Sequence, residues 1–536
     1  MFSQNSKINL INLYIIFGFF ILPIVLFLRP ENLAQTSIKD VTYLVFSQAI
    51  LFCFFFLVSK IVHKKIFNNK IIFIDFLCLN SFIFFLLFFY KKINLFFEKI
   101  DQSKLFVFKD IKISIIDNLI VILIYFTIFI IFFIFIQNYN KKVKQLFFLF
   151  ISLNLILFIF NSVPKLNQYK VKINQKSEQE NIIKSLNNIN FKKTNINTNI
   201  FVIVLDGMIN LDRAEKESII KSKENVENKL ANYGFKYNKN FKSNFSSTYL
   251  SIATLLTSNY PVTPNSSKYT NRANFFPNMM SKTNNFFYSL MDKINANFIW
   301  IGNYWGPCVP NLYTTCLTDD NKISFYLAKI SKMYDDSIFR YFTIYYFKKF
   351  PFRDSYELLA NHDDFFKSFK KDNNKKNFIF IHMMKPHPPY DRDKKCNKID
   401  AKNYESHINR KKYYSHNYEC ALETSLKFSN EFSKINQDNE NLFIILGDHG
   451  WNFNPKNLEF EENDKNFLKD RLNNVFYAYK SPERCQNLKT PETHVNVMRY
   501  ILNCIYTTNV NYLDNNQYIT RYETHPDYGK VFEFNE

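Results

Sequence analysis

Glycine is scarce in this chain: eight in 536 residues, with a single one, Gly18, before residue 200. Glycine takes positive φ at no steric cost, so the few that occur mark places where the backbone needs one. No CxxC pair occurs among the eight cysteines, which removes the usual signature of a cysteine-ligated zinc ribbon. No segment repeats at a fixed spacing, so a solenoid or propeller is not indicated. Nor does any compact Lys/Arg cluster alternate with aromatics as a nucleic-acid groove requires. The formal net charge is +21, but it is diluted along the chain, and an excess of Phe, Ile, Asn and Lys is what AT-rich coding favours. No nucleic-acid partner is expected.

What is abundant is apolar, and it is sharply segregated. Five runs have spanning length: residues 9–28, 41–62, 71–90, 115–137 and 146–163. They are apolar nearly all round, with Asp75 and Asp117 close to span ends, so five transmembrane helices are expected. A cleavable signal peptide would account for the first run but not for the four behind it. The short loops HKKIFNNK (63–70) and NYNKKVK (138–144) carry lysine and no acid, which keeps them cytoplasmic. Loop 91–114 has six lysines against three acids, yet the odd-even count places it outside; its apolar pieces suit an interfacial segment. With the N-terminus inside, five crossings leave everything after about residue 164 outside a bacterial inner membrane.

The expected organisation is therefore a transmembrane domain over 1–163, a polar linker over 164–197 and a periplasmic or extracellular domain over 198–536. Cys53 and Cys78 fall within spans, and the other six cysteines are in the exported part. An even number in an oxidising compartment permits three disulfides. Sequence order suggests 308–316, 396–420 and 485–504, one of 15 pairings; metal binding is the competing use.

In the exported part, short apolar runs alternate with amphipathic stretches. Strands are expected over 199–205, 297–301, 377–382, 441–446 and 475–480, and helices over 212–232, 248–257, 276–294, 323–347, 418–434 and 492–503. That alternation predicts an α/β fold with a mostly parallel sheet covered on both faces. In such sheets the working residues gather beyond the carboxyl ends of the strands. NIFVIVLDGM ends in Asp206-Gly207, NLFIILGDHGW in Gly447-Asp448-His449-Gly450, and FIFIHMMKPHPPYD runs past His382 to His387. Three of the seven glycines after residue 200 flank the two aspartates.

A hydroxyl joins this set. In NFSSTYLSIATLLTSN, Thr248 stands where a polar stretch gives way to helical periodicity. Asp206, Asp448, His449 and Thr248 would offer three oxygens and one nitrogen, a tetrahedral zinc set; manganese or magnesium also accepts mostly oxygen. A bound dication would make the threonine nucleophilic near neutral pH, and the helix N-terminus would favour an incoming phosphoryl group. Each residue alone has an ordinary reading: an aspartate after a strand as a turn residue, Thr248 as a helix cap, His387 as a loop histidine. The joint occurrence carries the case.

The order of these motifs resembles the sulfatase-like branch of the alkaline phosphatase superfamily. The resemblance spans roughly residues 198–510, from FVIVLDG through SSTYLSIATLLTSNYP, HMMKPHPPY and ILGDHG to LNNVFYAYKSP and THVNVMRYILN. Thr248 followed by Ser251 matches the family's nucleophile and the serine three places on. The CxPSR-like motif of formylglycine sulfatases is absent. Threonine here, behind five spans, is similar to the phosphoethanolamine transferases of lipid A and to lipoteichoic acid synthases.

That resemblance implies one divalent metal, zinc first, held by Asp206, Thr248, Asp448 and His449. It also implies His387 as phosphoryl contact or general acid, with Ser251, three places after the nucleophile, as a substrate-binding residue. The transferases usually have glutamate where Asp206 stands, and a further histidine where NDKNFLKDRLNNVFYAYKSP has none; Lys469 or Arg471 is the expected replacement on the phosphate. The function implied is transfer of a phospholipid head group from a lipid donor, through a phospho-threonine, to a cell-envelope acceptor. A periplasmic hydrolase of phosphodiesters or sulfate esters is the alternative, and a tethered scaffold that binds no metal is a third.

Overall fold

The computed structural model describes residues 10–27, 38–66, 73–87 and 142–157 in the first part of the chain. In the second it describes most of 198–317 and 355–453, and all of 465–520 and 531–534. The chain divides into two compact units, Met1–Lys170 with Asn321–Pro351, and Val171–Asp320 with Phe352–Glu536. The expected span over 115–137, the linker over 164–197 and the helix over 323–347 lie outside the described residues.

In the first unit, helices form where four of the five apolar runs stand: α1 (Leu10–Phe27), α2 (Ile38–Ile66), α3 (Phe73–Leu87) and α4 (residues 142–157). Ile15, Phe19, Leu77, Phe85, Phe147 and Ile151 make a shared core. Gly18 lets α4 approach α1, because a Cβ there would lie 2.8 Å from Ile151. The outer faces are apolar too: Leu10, Phe46, Phe54, Leu146 and Leu153 are all exposed. Helices apolar on both sides suit a surrounding that is itself apolar. Among the described residues one helix, Leu44–Lys65, is long and apolar enough to cross a membrane. It ends in His63, Lys64 and Lys65.

The second unit is built on a seven-stranded sheet. Its strands are β1 (Asn199–Leu205), β2 (Lys236–Tyr237), β3 (Ala296–Ile301), β4 (Thr314–Cys316), β5 (Lys376–Met383), β6 (Leu442–Gly447) and β7 (Tyr477–Lys480), in the order β2-β7-β6-β1-β5-β3-β4. The five strands from β6 to β4 are parallel, and β7 and β2 are antiparallel at one edge. A small hairpin pairs β8 (Tyr518–Thr520) with β9 (Val531–Glu533). The helices are α5 (Leu211–Lys216), α6 (Lys223–Asn232), α7 (Thr248–Thr257), α8 (Phe286–Lys293), α9 (Ser355–Ala360), α10 (His362–Ser368), α11 (His407–Ile435), α12 (Lys465–Asn473) and α13 (His494–Tyr506).

β1 shows why the sheet needs cover on both faces: all seven residues are buried. Ile200, Val202 and Val204 join the core made with α7, α8 and α13. Phe201, Ile203 and Leu205 point the other way, into the core made with α9 and α11. Each such side chain contributes roughly 1.5–3 kcal/mol by leaving water. At the amino ends of the strands, four asparagines lie side by side: Asn297 pairs in register with Asn377 and Asn377 with Asn199, and Asn441, just before β6, bonds to Asn199. Their amides bond in sequence, Asn377 Nδ2 to Asn199 Oδ1 at 2.9 Å and Asn199 Nδ2 to Asn441 Oδ1 at 3.0 Å.

Three disulfides close Cys308–Cys316, Cys396–Cys420 and Cys485–Cys504, the pairing that sequence order suggests. Two expected helices are corrected. The helix over 212–232 is broken into α5 and α6, with Ser218 at φ 58° and Ile219 and Ile220 turned inward. Of the helix expected over 276–294, Asn278–Ser281 is 3-10 helix and Phe286–Lys293 is α-helix, while residues 282–285 lie outside the described residues. The strand expected over 475–480 starts at Tyr477; Val475 and Phe476 belong to the turn that holds the site.

Candidate active site

Parallel register sets the two carboxylates side by side. Leu205 of β1 faces Gly447 of β6, so the next residues, Asp206 and Asp448, leave neighbouring strands about 4.8 Å apart. On the other side of β1, His382 of β5 lies opposite Val204.

The loops are then held by backbone bonds that need the glycines. Gly207 adopts φ 69°, and its N–H donates to Asp448 Oδ1 at 2.7 Å. His449 N–H donates to the same oxygen at 2.9 Å. A Cβ on Gly447 would lie 2.5 Å from the Met208 carbonyl, and one on Gly450 would run into the carbonyls of Asp470 and Asn474. The second contact matters most, because Gly450 is where α12 closes onto the loop: its N–H donates to the Arg471 carbonyl at 2.8 Å. Tyr414 of α11 adds a hydroxyl bond to the Gly207 carbonyl at 2.7 Å.

One oxygen of each carboxylate is therefore oriented and the other is left over. Asp448 Oδ1 takes two backbone N–H groups, while Oδ2 is buried without a hydrogen-bond partner. Asp206 Oδ2 lies 3.5 Å from His382 Nε2, while Oδ1 is likewise buried and unsatisfied. His449 Nδ1–H donates to the Gly450 carbonyl at 2.8 Å, which leaves Nε2 as an acceptor. That nitrogen is 3.4 Å from Asp448 Oδ2 and 3.8 Å from Asp206 Oδ1. Asp206, Asp448 and His449 each offer one ligand atom within 4.8 Å of the others. Two buried, unsatisfied carboxylate oxygens facing a neutral imidazole are costly by themselves and fit a divalent cation, in oxygen-rich coordination with one nitrogen.

The charges follow the same logic. Burial pushes the Asp206 carboxyl up, but the neighbouring His387 and His382 hold it below its ordinary range. Burial and the Asp206 charge push Asp448 up to about 6. Burial, with the Arg471 guanidinium beside it, holds His449 well below the usual imidazole range, so it is neutral.

Thr248 is the first residue of α7, and the cap position is taken by Ser247, whose side chain makes no capping bond. The expectation that Thr248 caps the helix is thus corrected: its hydroxyl turns instead to His449 Nε2 at 3.2 Å. Arg471 is buried, with Nη2 at 2.5 Å from His449 Nε2 and Nε donating to the Ser246 carbonyl at 2.7 Å. Lys469 is exposed; two residues on a helix differ by about 200°, so only Arg471 faces the cluster. Ser251 is buried away from it, donating to the Phe245 carbonyl at 2.9 Å and bonded to Ser243. Ser243 in turn reaches the Asp448 carbonyl at 2.9 Å, so Ser251 braces the loop rather than lining the site. His387 is half-buried, its ring edge-on to Trp451 at 5.1 Å with Nδ1–H donating to the Pro388 carbonyl at 2.6 Å, and its backbone N–H donates to the Asp206 carbonyl at 3.1 Å.

Two residues of the site were given no role from sequence, although one of them, His382, was read as a strand end. His382 is in phase with Phe378 and Phe380 on β5, where a third large apolar side chain would be expected; the histidine in that row was the available signal. His494, fully buried, donates Nε2–H to the Gly447 carbonyl at 2.8 Å, and nothing in its THVNV context marks that bond.

No protein-family model matches the chain, and no curated protein matches it in sequence. Solved structures similar to it include the C-terminal periplasmic domain of EcEptC from Escherichia coli in complex with zinc. It is 9% identical over 64% of this chain and 98% of that one, with a TM-score of 0.37. The C-terminal periplasmic domain of phosphoethanolamine transferase EptC from Campylobacter jejuni is 13% identical over 59% and 92%, with a TM-score of 0.35. The lipoteichoic acid synthase LtaP from Listeria monocytogenes is 13% identical over 66% and 86%, with a TM-score of 0.34. At such identities, what this chain does has to be read from its own residues.

Proposed function

We propose that the chain is a membrane-anchored, metal-dependent transferase that moves a phospholipid head group, of phosphoethanolamine or phosphoglycerol type, to a cell-envelope lipid or glycan. The observation that carries this reading is Thr248: a hydroxyl at the N-terminus of a ten-residue helix, free of capping duty and 3.2 Å from His449 Nε2, beside two carboxylates with an unsatisfied oxygen each.

Asp206, Thr248, Asp448 and His449 would hold one divalent cation, zinc first, with manganese or magnesium as alternatives. Bound there, it would lower the pKa of the Thr248 hydroxyl and offset charge on the phosphoryl oxygens. Thr248 Oγ1, ionised with its proton released to water, attacks the phosphorus in line, a new P–O bond forms on threonine, and the bond to the diacylglycerol oxygen breaks; in the second half Thr248 departs as the same alkoxide. His387 gives that leaving oxygen a proton. The backbone N–H groups at the start of α7 and the Arg471 guanidinium take up the negative charge that develops. An acceptor hydroxyl or phosphate then attacks the phospho-threonine, giving its proton to His387 and restoring Thr248.

The exposed apolar faces of α1, α2 and α4 support a membrane domain of five spans over 1–163, a linker over 164–197 and a catalytic domain over 198–536. The three disulfides support an oxidising compartment for that domain, outside a bacterial inner membrane. An anchor in the same chain keeps the catalytic domain at the bilayer that supplies the donor.

The test uses the full chain in vesicles containing head-group-labelled phospholipid. Label should appear on the protein, map to Thr248 by mass and disappear in Thr248→Ala. Equal turnover of donor by that variant would remove the mechanism, and label released only to water would make the chain a hydrolase.

A further inference from the structure

We propose that Asn303 is a positioning residue that sets the tautomer of His382 and, through it, holds the Asp206 carboxylate in its metal-ready orientation. The chain of reasoning begins at Gly306, whose backbone N–H donates to Asn303 Oδ1 at 2.8 Å. An N–H can only meet an acceptor, so the side-chain oxygen of Asn303 is on that side and its NH₂ faces His382. There Nδ2 lies 2.8 Å from the His382 carbonyl and 3.1 Å from His382 Nδ1. An amide nitrogen has hydrogens for both, and a ring nitrogen that accepts one carries no proton itself. The neutral imidazole must then carry its hydrogen on Nε2, the atom 3.5 Å from Asp206 Oδ2.

The opposite tautomer is disfavoured twice. It would set Nδ1–H against the Asn303 N–H, and it would aim a lone pair at a carboxylate. The ring has little room to avoid either, since Ser355 Oγ also donates to the His382 carbonyl at 2.7 Å and the ring stands edge-on to Phe276 at 5.7 Å. Asn303 and His382 are both fully buried. The result is a line from backbone to amide to imidazole that points Nε2–H at Asp206 Oδ2 across 3.5 Å and so favours the carboxylate orientation that leaves Oδ1 toward Asp448 and His449. Groups that orient a ligand from behind commonly change metal affinity ten- to a hundredfold when altered.

The inference rests on the metal reading of the site, and the experiment separates the two. Zinc affinity of the full chain in detergent is measured by competition with a chelating dye. Asp448→Asn should lose the zinc; retention would overturn the metal reading and this proposal with it. With that control in hand, Asn303→Asp keeps the size of the side chain but puts an acceptor against His382 Nδ1. It should weaken zinc ten- to a hundredfold in the natural background. In a His382→Gln background, where the glutamine amide can turn its own NH₂ to Asp206, the same change should cost less than about threefold. An equal loss in both backgrounds, or none in the first, would overturn the proposal. Should Asn303→Asp not fold, Asn303→Ala in the same two backgrounds is read in the same way.

Discussion

The same strands end in two very different ways. At their amino ends, Asn377, Asn199 and Asn441 pass hydrogen bonds from one amide to the next, so neutral groups satisfy one another inside the sheet. At their carboxyl ends, in the same register, Asp206 and Asp448 bring like charges together and leave one oxygen each without a partner. Burying polar groups costs little when they are mutually bonded and a great deal when they are not. One edge is chemically closed and contributes order; the other is left open at a cost in stability, which makes sense only if something else completes it.

The largest break in that contrast is Asp448→Asn. It should abolish zinc binding in metal analysis, and the metal-free variant should melt above the metal-free natural protein at pH 8, because a repelling buried charge is gone. A lower melting temperature would mean that the two carboxylates do not oppose each other. Next is Gly450→Ala, which pushes α12 off the loop and withdraws Arg471. A displacement of about 1 Å can cost on the order of a hundredfold in rate, and turnover of labelled donor should fall by that much while the disulfides still form.

Acid should distinguish the edges further. Burial, resisted by the bond to Gly447, holds His494 down to about 4, against an ordinary value near 6.5. As pH falls the unfolded chain takes the proton first, so this stability is complete above about 6.5 and is lost between there and about 4. The loss is roughly 3 kcal/mol, and thermal melts of His494→Gln should show a flatter acid limb. The smallest effect is at the closed edge: Asn199→Ala strands the Asn377 donor and the Asn441 acceptor, and should cost about 1–3 kcal/mol in a denaturant titration. A neutral result would mean that water replaces the missing amide.

Much of this contrast could be read in the sequence, and what could not has identifiable causes. β1 and α7 stand where the sequence puts them, because a fully buried strand and a helix buried nearly all round have few alternatives. Asp206, Asp448 and His449 were conspicuous because scarce glycines flank them. The break between α5 and α6 was hidden, since the apolar period runs on through 217–222. Arg213 reaches Glu217 four residues on, but also Asp470, a contact no local pattern announces. Choosing Arg471 over Lys469 needed the face of α12. Ser251 looked like a site residue because of its spacing from Thr248, but on a helix three positions on is a turn inward, toward Ser243. His382 was masked by its apolar row, and His494 by a partner 47 residues away.

The three disulfide rings are consecutive, 308–316, 396–420 and 485–504, and none encloses another. A chain that reaches an oxidising compartment amino end first can seal each ring before the next pair of thiols arrives, so no cysteine has to wait beside a wrong suitor. β1, by contrast, finds β6 only after some 240 residues have followed it through.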